Sequence, residues 1–364
     1  MREKKALFLA NSVYQLFTAI HMARNLLDGG RADLMVTDVT PGLPDYAPRL
    51  RGTGLFDRVI VGRTGELNRK YAAGKDEELT RGYAQFGSAL RWMLNEPLDS
   101  YTQVYFSNFD PFTRMLACYF YEAPCEFLWY EDGFSSYVID YLREDRAPVN
   151  RHPDGRKIGD KVKCVLLYEP RLAMRGDRLV NRPLPKVSRE DGPLRAILNF
   201  VFDYRRPERN PRFIFLEQSF RAEGLKNNDL ALMNECQQAA GAGRFVVKPH
   251  PRNPENVPFQ LGLTRKYAGN APWELLLLNE PAEDKVLLTV CSNAALTGRL
   301  VFGADIPTVM LYRLFDGRVL WKEDAVLQKY LETFRREFAG KNYYVPKTIY
   351  ELRNILHYLG GRCE

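Results

Sequence analysis

Hydrophobic and polar positions in the first half of the chain follow two alternating patterns. Short apolar runs are followed by stretches in which apolar residues recur every three or four positions, as at Leu16, Ala19 and Ile20. The first pattern predicts buried β-strands and the second predicts amphipathic helices. The predicted strands are 6–10, 32–36, 58–61, 103–107, 125–130 and 162–168, and the predicted helices are 14–27, a short one after Tyr46, 83–93 and 111–121. This alternation is typical of a parallel sheet covered by helices on both faces.

The same alternation starts again after a stretch rich in arginine, proline and aspartate. Strands are predicted at 213–216, 244–248, 286–290 and 308–311, and helices at 228–239, 272–279, 293–301 and 349–359. The predicted organisation is a first domain at 1–190, a linker at 191–211 with an apolar insert at 196–201, a second domain at 212–345 and a C-terminal helix at 346–364. We therefore expect an α/β protein with two Rossmann-like domains whose parallel sheets face across a cleft. In such sheets, ligands bind outside the carboxyl ends of the strands.

Composition narrows the class of protein. The chain has 364 residues, of which 45% are hydrophobic, and this suits two globular domains. No apolar run approaches the roughly 20 residues of a membrane-spanning helix. A first strand explains the start, MREKKALFLANS, better than a signal peptide does. The six cysteines form no CxxC pair and there are only four histidines, so we expect a cytoplasmic protein with reduced cysteines and no metal cluster.

The basic charge leaves several partners open. A net charge of +7 suits nucleic acid, an anionic membrane face or an anionic substrate. No helix-turn-helix, RNA-binding or zinc-finger pattern accompanies it, so we expect no nucleic-acid partner. Peripheral contact with the inner face of an inner membrane is compatible with the charge, although no anchoring segment is evident.

An acidic motif follows the predicted strand 125–130. Glu131 and Asp132 are adjacent carboxylates, and Gly133 permits a tight turn with positive φ. Repulsion and partial burial would raise the pKa of one carboxyl toward the range of a general base. An ordinary acidic turn is the alternative interpretation.

A second motif, V-K-P-H-P-R, ends the predicted strand 244–248. His250 stands between two prolines that fix the backbone, and Lys248 and Arg252 supply positive charge suited to a phosphate. The alternative is a lone surface histidine.

Two further motifs lie where a strand passes into a helix. Ser292 and Asn293 start the helix after strand 286–290, which makes a natural phosphate site or a plain helix cap. Asn11, Ser12 and Gln15 follow the first strand, and they are expected to line the cleft or to cap a helix.

Three acidic or polar residues of the second half are weaker candidates. Glu274 opens an apolar helix and is a candidate ribose ligand, or it simply favours the helix N-terminus. Glu217 and Gln218 follow strand 213–216, at a position from which they would line the cleft. No GxxxxGK[ST] loop, no GxSxG elbow and no D-x-D metal–nucleotide motif is present, so we expect no cofactor and no metal at the nucleotide.

Taken in order, E-D-G, K-P-H-P-R and S-N-A-A-L resemble the motif set of bacterial sialyltransferases. The chain is most similar to glycosyltransferase family 52, the lipooligosaccharide sialyltransferases, and is similar to the bacterial polysialyltransferases. The segments S-V-Y-Q-L, V-Y-F-S-N and L-Y-E-P also resemble that group. The resemblance implies a GT-B fold, CMP-activated sialic acid as donor, and inverting transfer to a hydroxyl of a surface glycan, either lipooligosaccharide, which is lipid-linked, or capsule.

The resemblance also implies roles for individual residues. Asp132, with Glu131, matches the acidic motif that supplies or supports the base, and His250 matches a contact to the donor phosphate. Ser292 with Asn293 matches the phosphate-binding serine, and Glu274 matches the acid that holds the ribose. One departure is that the loop after strand 213–216 reads E-Q-S-F without an aspartate, which leaves Glu217 and Glu223 as substitute bases.

Two other functions fit the same residues. Family 52 also includes transferases of neutral sugars, and a transferase that uses another donor, CMP-Kdo or a UDP-sugar, is the first alternative. A degenerate transferase that only binds anionic glycans would carry the same motifs without catalysis.

Overall fold

The computed structural model describes residues 5–27, 29–72, 76–143, 150–206, 211–250, 253, 256–267, 271–280, 282, 284–317 and 324–361. The chain divides into two compact units, Met1–Tyr204 (unit 1) and Arg205–Glu364 (unit 2). Each unit is built around one parallel sheet, of seven strands in unit 1 and five in unit 2. No helix among the described residues combines the length and the apolarity that crossing a membrane requires.

Unit 1 follows the predicted strand–helix alternation. Its strands are β1 Lys5–Ala10, β2 Arg31–Thr37, β3 Arg58–Gly62, β4 Gln103–Phe106, β5 Glu126–Tyr130, β6 Val162–Leu167 and β7 Val180–Pro183. Its helices are α1 Val13–Leu26, α2 Ala47–Gly52, α3 Gly65–Ala72, α4 Asp76–Met93, α5 Pro111–Tyr119, α6 Ser135–Val138 and α7 Gly192–Val201. The strands are ordered β3-β2-β1-β4-β5-β6-β7, and every neighbouring pair is parallel.

Unit 2 repeats the arrangement with a smaller sheet. Its strands are β8 Phe213–Leu216, β9 Phe245–Lys248, β10 Val286–Thr289, β11 Thr308–Met310 and β12 Tyr343–Tyr344, in the order β12-β11-β10-β8-β9. Its helices are α8 Asp229–Ala240, α9 Val257–Gln260, α10 Trp273–Asn279, α11 Ala294–Phe302, α12 Asp324–Glu337 and α13 Ile349–Gly360. These strands are also parallel to their neighbours.

Each sheet has a point where the strand order changes direction. In unit 1 this point lies between β1 and β4, and in unit 2 it lies between β8 and β10. The crossovers on either side of such a point cover opposite faces of the sheet, which opens a crevice at the carboxyl ends of the two strands. The loops that start at Asn11, Ser107, Glu217 and Val290 are therefore the expected ligand-binding loops.

The division between the units differs from the predicted linker at 191–211. The first half of that stretch is helix α7, which belongs to unit 1 and packs against α1 and α2. Asp191 caps the helix by accepting a hydrogen bond from the Leu194 backbone N–H at 3.0 Å, and Leu194 and Leu198 are fully buried. The predicted C-terminal helix likewise packs against α8 and is part of unit 2.

Candidate functional site

Polar side chains meet at the carboxyl ends of β1 and β4 in unit 1. Asn11, which follows β1, donates from Nδ2 to Oδ1 of Asn108 at 3.2 Å and to Oδ2 of Asp110 at 3.0 Å, and both of these residues follow β4. Asn68 donates to the same Asp110 oxygen at 2.9 Å. Side-chain amides and one carboxylate therefore form a hydrogen-bond network at the switch point of unit 1.

Three further hydrogen bonds fix Asn11. Its backbone N–H donates to Oε1 of Gln15 at 2.8 Å, and its side-chain Oδ1 accepts from the Thr37 hydroxyl at 2.7 Å. Its backbone oxygen accepts from the Thr40 hydroxyl at 2.5 Å. Ser12 accepts from the Gln15 backbone N–H at 3.2 Å and so caps α1. Asn11 and Gln15 are buried at this edge, and Ser12 is half-buried.

The two adjacent carboxylates after β5 lie in different environments. Glu131 is fully buried and accepts hydrogen bonds from the hydroxyls of Tyr14 and Tyr137 and from the backbone N–H of Tyr168 at 2.9 Å. Burial raises the pKa of Glu131 to about 7 against the opposing effect of these hydrogen bonds. Because it is enclosed and accepts three hydrogen bonds from the protein, Glu131 is placed to support the turn.

Asp132 is half-buried and joins the amide network. Its Oδ2 accepts from Nδ2 of Asn108 at 3.2 Å, and its backbone N–H donates to the Ser136 hydroxyl at 2.8 Å. Gly133 follows with φ of 68°, the left-handed conformation that the motif predicted. Desolvation raises the pKa of Asp132, and the hydrogen bonds from Gln15 and Asn108 oppose that rise. Asp132 is thus the partly accessible carboxylate of the motif.

Sequence reasoning did not select Asn108, Asp110 or Asn68. A signal was present, because S-N-F-D follows the strand that ends at Phe106. This signal points to the site only because β4 lies beside β1, and the order of strands in the sheet is not visible in the local sequence.

In unit 2, the carboxylate after β8 is at the centre of a buried cluster. Both oxygens of Glu217 accept from Nη2 of Arg221, at 2.9 and 3.0 Å. Nδ2 of Asn256 donates to it at 2.9 Å, and Nδ2 of Asn253 does so at 3.3 Å. Glu217 is only 5% exposed. It was expected to line a ligand site, but its position and its bonds are those of a structural carboxylate.

This cluster holds the backbone of the histidine motif. The His250 backbone N–H donates to Oε2 of Glu217 at 3.2 Å, and the Glu217 backbone N–H donates to the Lys248 carbonyl at 3.1 Å. The His250 side chain is half-buried. Arg252, the other predicted cationic flank, lies outside the described residues.

Lys248 and Glu274 lie close enough near this motif to interact electrostatically. Nζ of Lys248 donates to the Ala271 carbonyl at 3.2 Å. Burial lowers the pKa of Lys248, and Glu274 opposes that shift. Burial raises the pKa of Glu274 to about 7, with Lys248 opposing. Glu274 is 6% exposed in the first turn of α10, which leaves a small part of it accessible to a ligand.

The serine motif lies at the end of β10, next to β8. Oε1 of Gln218 accepts from the Cys291 backbone N–H at 2.9 Å and so ties the two strand ends together. The Ser292 hydroxyl accepts from the Ala294 backbone N–H at 3.3 Å, while Oδ1 of Asn293 accepts from the Tyr330 hydroxyl at 3.2 Å. Ser292 and Asn293 are half-buried at the start of α11.

The structure thus groups the predicted residues into two sets. Asn11, Gln15 and Asp132 share one network with Asn108 in unit 1. In unit 2, Gln218 joins the end of β8 to the serine motif, and Glu217 joins the same end to the histidine motif. Across the described ranges, no three His, Cys, Asp or Glu side chains converge in the manner of a metal site.

Solved structures with the same architecture include several glycosyltransferases and a putative UDP-N-acetylglucosamine 2-epimerase from Listeria monocytogenes, the latter with a TM-score of 0.50 and 10% identity over 100% of this chain and 91% of its own. UGT89C1 of Arabidopsis thaliana, complexed with UDP-L-rhamnose, matches 98% of this chain and 90% of its own, with a TM-score of 0.53 and 12% identity. An α/β-galactoside α-2,3-sialyltransferase from the luminous marine bacterium Photobacterium phosphoreum matches 95% of this chain and 99% of its own, with a TM-score of 0.50 and 9% identity. UGT73P12 of Glycyrrhiza uralensis, complexed with glycyrrhetinic acid 3-O-monoglucuronide, matches 99% and 88%, with a TM-score of 0.51 and 13% identity.

These likenesses define the fold. The two Rossmann-like parallel sheets and the match along nearly the whole chain confirm the predicted GT-B class. The three transferases are 9–13% identical to this chain, so the likeness is one of fold. No model of a known protein family matches the chain, and no curated protein matches it.

Proposed function

We propose that this protein is an inverting, metal-independent glycosyltransferase that transfers sialic acid from CMP-sialic acid to a glycan hydroxyl. One observation carries the proposal: a half-buried aspartate, Asp132, is held by Asn108 at the switch-point edge of a GT-B fold. A fixed carboxylate with a raised pKa is suited to accept a proton near neutral pH. The ordered sequence motifs support the CMP donor.

In the proposed reaction, Asp132 is the general base for the acceptor hydroxyl. As the acceptor oxygen attacks the anomeric carbon, its O–H bond breaks and the proton passes to the Asp132 carboxylate. The bond between the anomeric carbon and the phosphate oxygen breaks at the same time, and its electron pair leaves with CMP. Glu131 does not take part directly because it is enclosed by Tyr14 and Tyr137, and we assign it the role of holding the turn.

The donor phosphate is assigned to the strand ends of unit 2. The Ser292 hydroxyl uses a lone pair to accept from Ala294, so its proton is available for an anionic oxygen. The positive end of α11 favours the same charge. The His250 imidazole donates to the leaving phosphate, and Asn293 supports it through its amide. Stabilising charge that develops in the transition state is a large catalytic effect.

The nucleoside is assigned to the region of Glu274 and Lys248. The buried Glu274 carboxyl can accept hydrogen bonds from the two hydroxyls of a ribose, whether it is neutral or ionised. When it is ionised, Lys248 offsets its charge. The acceptor is proposed to be a surface glycan, either lipooligosaccharide or capsule, and the reaction needs no cofactor beyond the nucleotide sugar.

Thermal shift with CMP, UDP and GDP tests the donor class. A nucleotide that binds only the folded protein raises its unfolding temperature in proportion to RT ln(1 + [L]/Kd). We expect CMP to stabilise the chain and UDP and GDP not to do so. Stabilisation by UDP alone would instead favour a UDP-sugar donor, the kind bound by the Arabidopsis neighbour.

Donor screening completes the test. The purified protein is incubated with CMP-sialic acid, CMP-Kdo or a UDP-sugar and with glycan acceptors, and the product is identified by mass spectrometry. A sialylated product is expected. Glycan binding without nucleotide binding or donor turnover would contradict the proposal and would identify a binding protein.

A further inference from the structure

Unit 2 carries an exposed apolar surface that the proposed chemistry does not use. It consists of Val257, Leu261 and Leu263, which are 58%, 65% and 64% exposed. We call these three side chains the apolar tip. Single exposed apolar residues are ordinary, but three large ones within seven positions form a patch. The patch follows from α9 and the turn after it, since Gly262 has φ of 66° and turns the chain between the two leucines.

The segment that carries the apolar tip is fixed at its start. Asn256 is 3% exposed, and its Nδ2 donates to Oε1 of Glu217 at 2.9 Å. Its Oδ1 accepts from the Phe259 backbone N–H at 2.9 Å and so caps α9. The tip is therefore attached to the buried carboxylate cluster described above.

The segment is also fixed at its end. The Thr264 hydroxyl donates to Oε1 of Gln237 at 2.6 Å, and Nε2 of Gln237 donates to the Leu263 carbonyl at 2.7 Å. The Tyr267 backbone N–H donates to the Val247 carbonyl at 2.7 Å, which joins the segment to the edge of β9. With both ends anchored, the exposure of the leucines is imposed by the fold and is not a property of a loose loop.

The charged residues that follow the apolar tip along the segment are basic. Residues 256–267 contain Arg265 and Lys266 and no acidic residue. Residues 237–247, to which Gln237 connects the segment, contain Arg244 and no acidic residue. Nη2 of Arg265 donates to the Ala242 carbonyl at 2.7 Å, so its positive charge lies between the two stretches.

We infer that the apolar tip is a docking surface for a membrane with anionic headgroups. Leu261 and Leu263 enter the boundary between headgroups and acyl chains, and Arg265 and Lys266 contact the lipid phosphates. Apolar burial together with attraction to anionic lipid is the physical basis of peripheral membrane binding. A second copy of the chain is a poorer occupant, because a symmetric contact would bring the same positive charges together.

Vesicle cosedimentation of the full chain tests this inference independently of catalysis. We expect the protein to sediment with vesicles of phosphatidylglycerol and phosphatidylethanolamine and to remain in solution with pure phosphatidylcholine. Binding should weaken as salt is raised, because exposed charges are screened. The double variant Leu261→Ser/Leu263→Ser should bind the anionic vesicles more weakly by about tenfold or more, since two leucine side chains lose their apolar burial.

Three controls make the result specific. Leu261→Phe/Leu263→Phe keeps the apolar character and should retain binding. Val180→Ser removes an equally exposed apolar residue from unit 1 and should bind as the wild type does. Lys266→Gln should weaken binding to anionic vesicles at low salt. The inference is overturned by absence of wild-type binding at low salt, by serine variants that bind normally, or by a serine variant that changes only self-association in sedimentation velocity.

Discussion

Asn108 donates to Oδ2 of Asp132 at 3.2 Å while its own Oδ1 accepts from Asn11 at 3.2 Å. Asn11, Asn108 and Asp132 follow β1, β4 and β5, three neighbouring strands of one sheet. One amide therefore sets the position of the accessible carboxylate relative to the switch point. The predictions below test whether this relationship, and its counterpart in unit 2, serves the proposed reaction.

Asp132→Asn should abolish the base without altering the fold. The amide keeps the size of the side chain but cannot accept the acceptor proton. We expect kcat to fall by about a hundredfold or more, within the range for general-base catalysis, while donor affinity stays near that of the wild type. Steady-state kinetics with a separate donor-binding titration measures both. Asp140→Asn, a half-buried aspartate outside the network, is the matched control and should remain active. Equal losses of rate and affinity in Asp132→Asn would indicate a binding role.

Asn108→Ala should shift the pH dependence of the reaction. The amide of Asn108 hydrogen-bonds to Asp132 and stabilises its ionised form, which lowers the pKa of that carboxyl. Without it the pKa of Asp132 rises further, so the acidic limb of the kcat profile should move to higher pH. Asn68→Ala breaks a bond to Asp110 but none to Asp132, and it should leave the limb in place. An unmoved limb in Asn108→Ala would contradict the assignment of Asp132 as the base.

His250→Ala should nearly eliminate transfer and leave unit 2 folded. The bond that anchors this residue to Glu217 comes from the backbone N–H, which alanine retains. The side chain alone is lost, and removing one donor to a developing anion costs about a hundredfold or more in turnover. Transfer assays and thermal unfolding measure the two effects. His152→Ala, at a half-buried position of unit 1 beside Asp154, should behave as the wild type. Near-normal transfer by His250→Ala would remove the histidine from the mechanism.

Sequence patterns located the ends of the strands well. Asp132 and Ser292 were selected because polar residues follow an apolar run, and both lie at carboxyl ends of parallel strands. Which strand ends are neighbours depends on sheet order. Asn108 gains significance only because β4 lies beside β1, a contact that no local pattern contains.

Several helices are absent from the sequence prediction, among them α7 and α12. α7 lies in the stretch predicted as a linker, although Leu194, Leu198 and Val201 have helical spacing and Pro193 stands where a helix tolerates it. α12 falls outside every predicted helix, although Leu327, Tyr330, Leu331 and Phe334 form a buried stripe along it. The periodicity was present in both cases and should outweigh composition.

Glu217→Gln should destabilise unit 2 by about 2 kcal/mol, because it breaks a buried ion pair and leaves Arg221 with Asp229, at 3.4 Å, as its other acidic partner. The Glu217 and Arg221 side chains are 1% and 17% exposed, so water does little to replace the lost interaction. Urea unfolding gives the free energy of unfolding. Glu223→Gln, at an exposed position on the same loop, should change it by less than about 0.5 kcal/mol. Full stability with loss of transfer in Glu217→Gln would instead make Glu217 the base, the substitute that its place after β8 suggested.

Glu131→Gln should remove a pH dependence of stability. The pKa of Glu131 is raised by burial from 4.5 to about 7 in the folded chain. Between these values the folded state holds a proton that the unfolded state has released, so the free energy of unfolding falls as pH rises through this window. The proton is retained by both states below the window and by neither above it. The glutamine variant has no such proton and should lack this part of the decline.

The measurement is the free energy of unfolding of wild type and variant at the two ends of that window. We expect the wild type to lose on the order of 1–3 kcal/mol more than Glu131→Gln as pH rises through it. Glu126→Gln, at the exposed first position of β5, should show the wild-type decline. If Glu131→Gln also follows the wild-type curve, the carboxyl is ionised throughout the window. Glu131 and Asp132 would then carry adjacent negative charges, and the proposed division into one supporting and one catalytic carboxylate would fail.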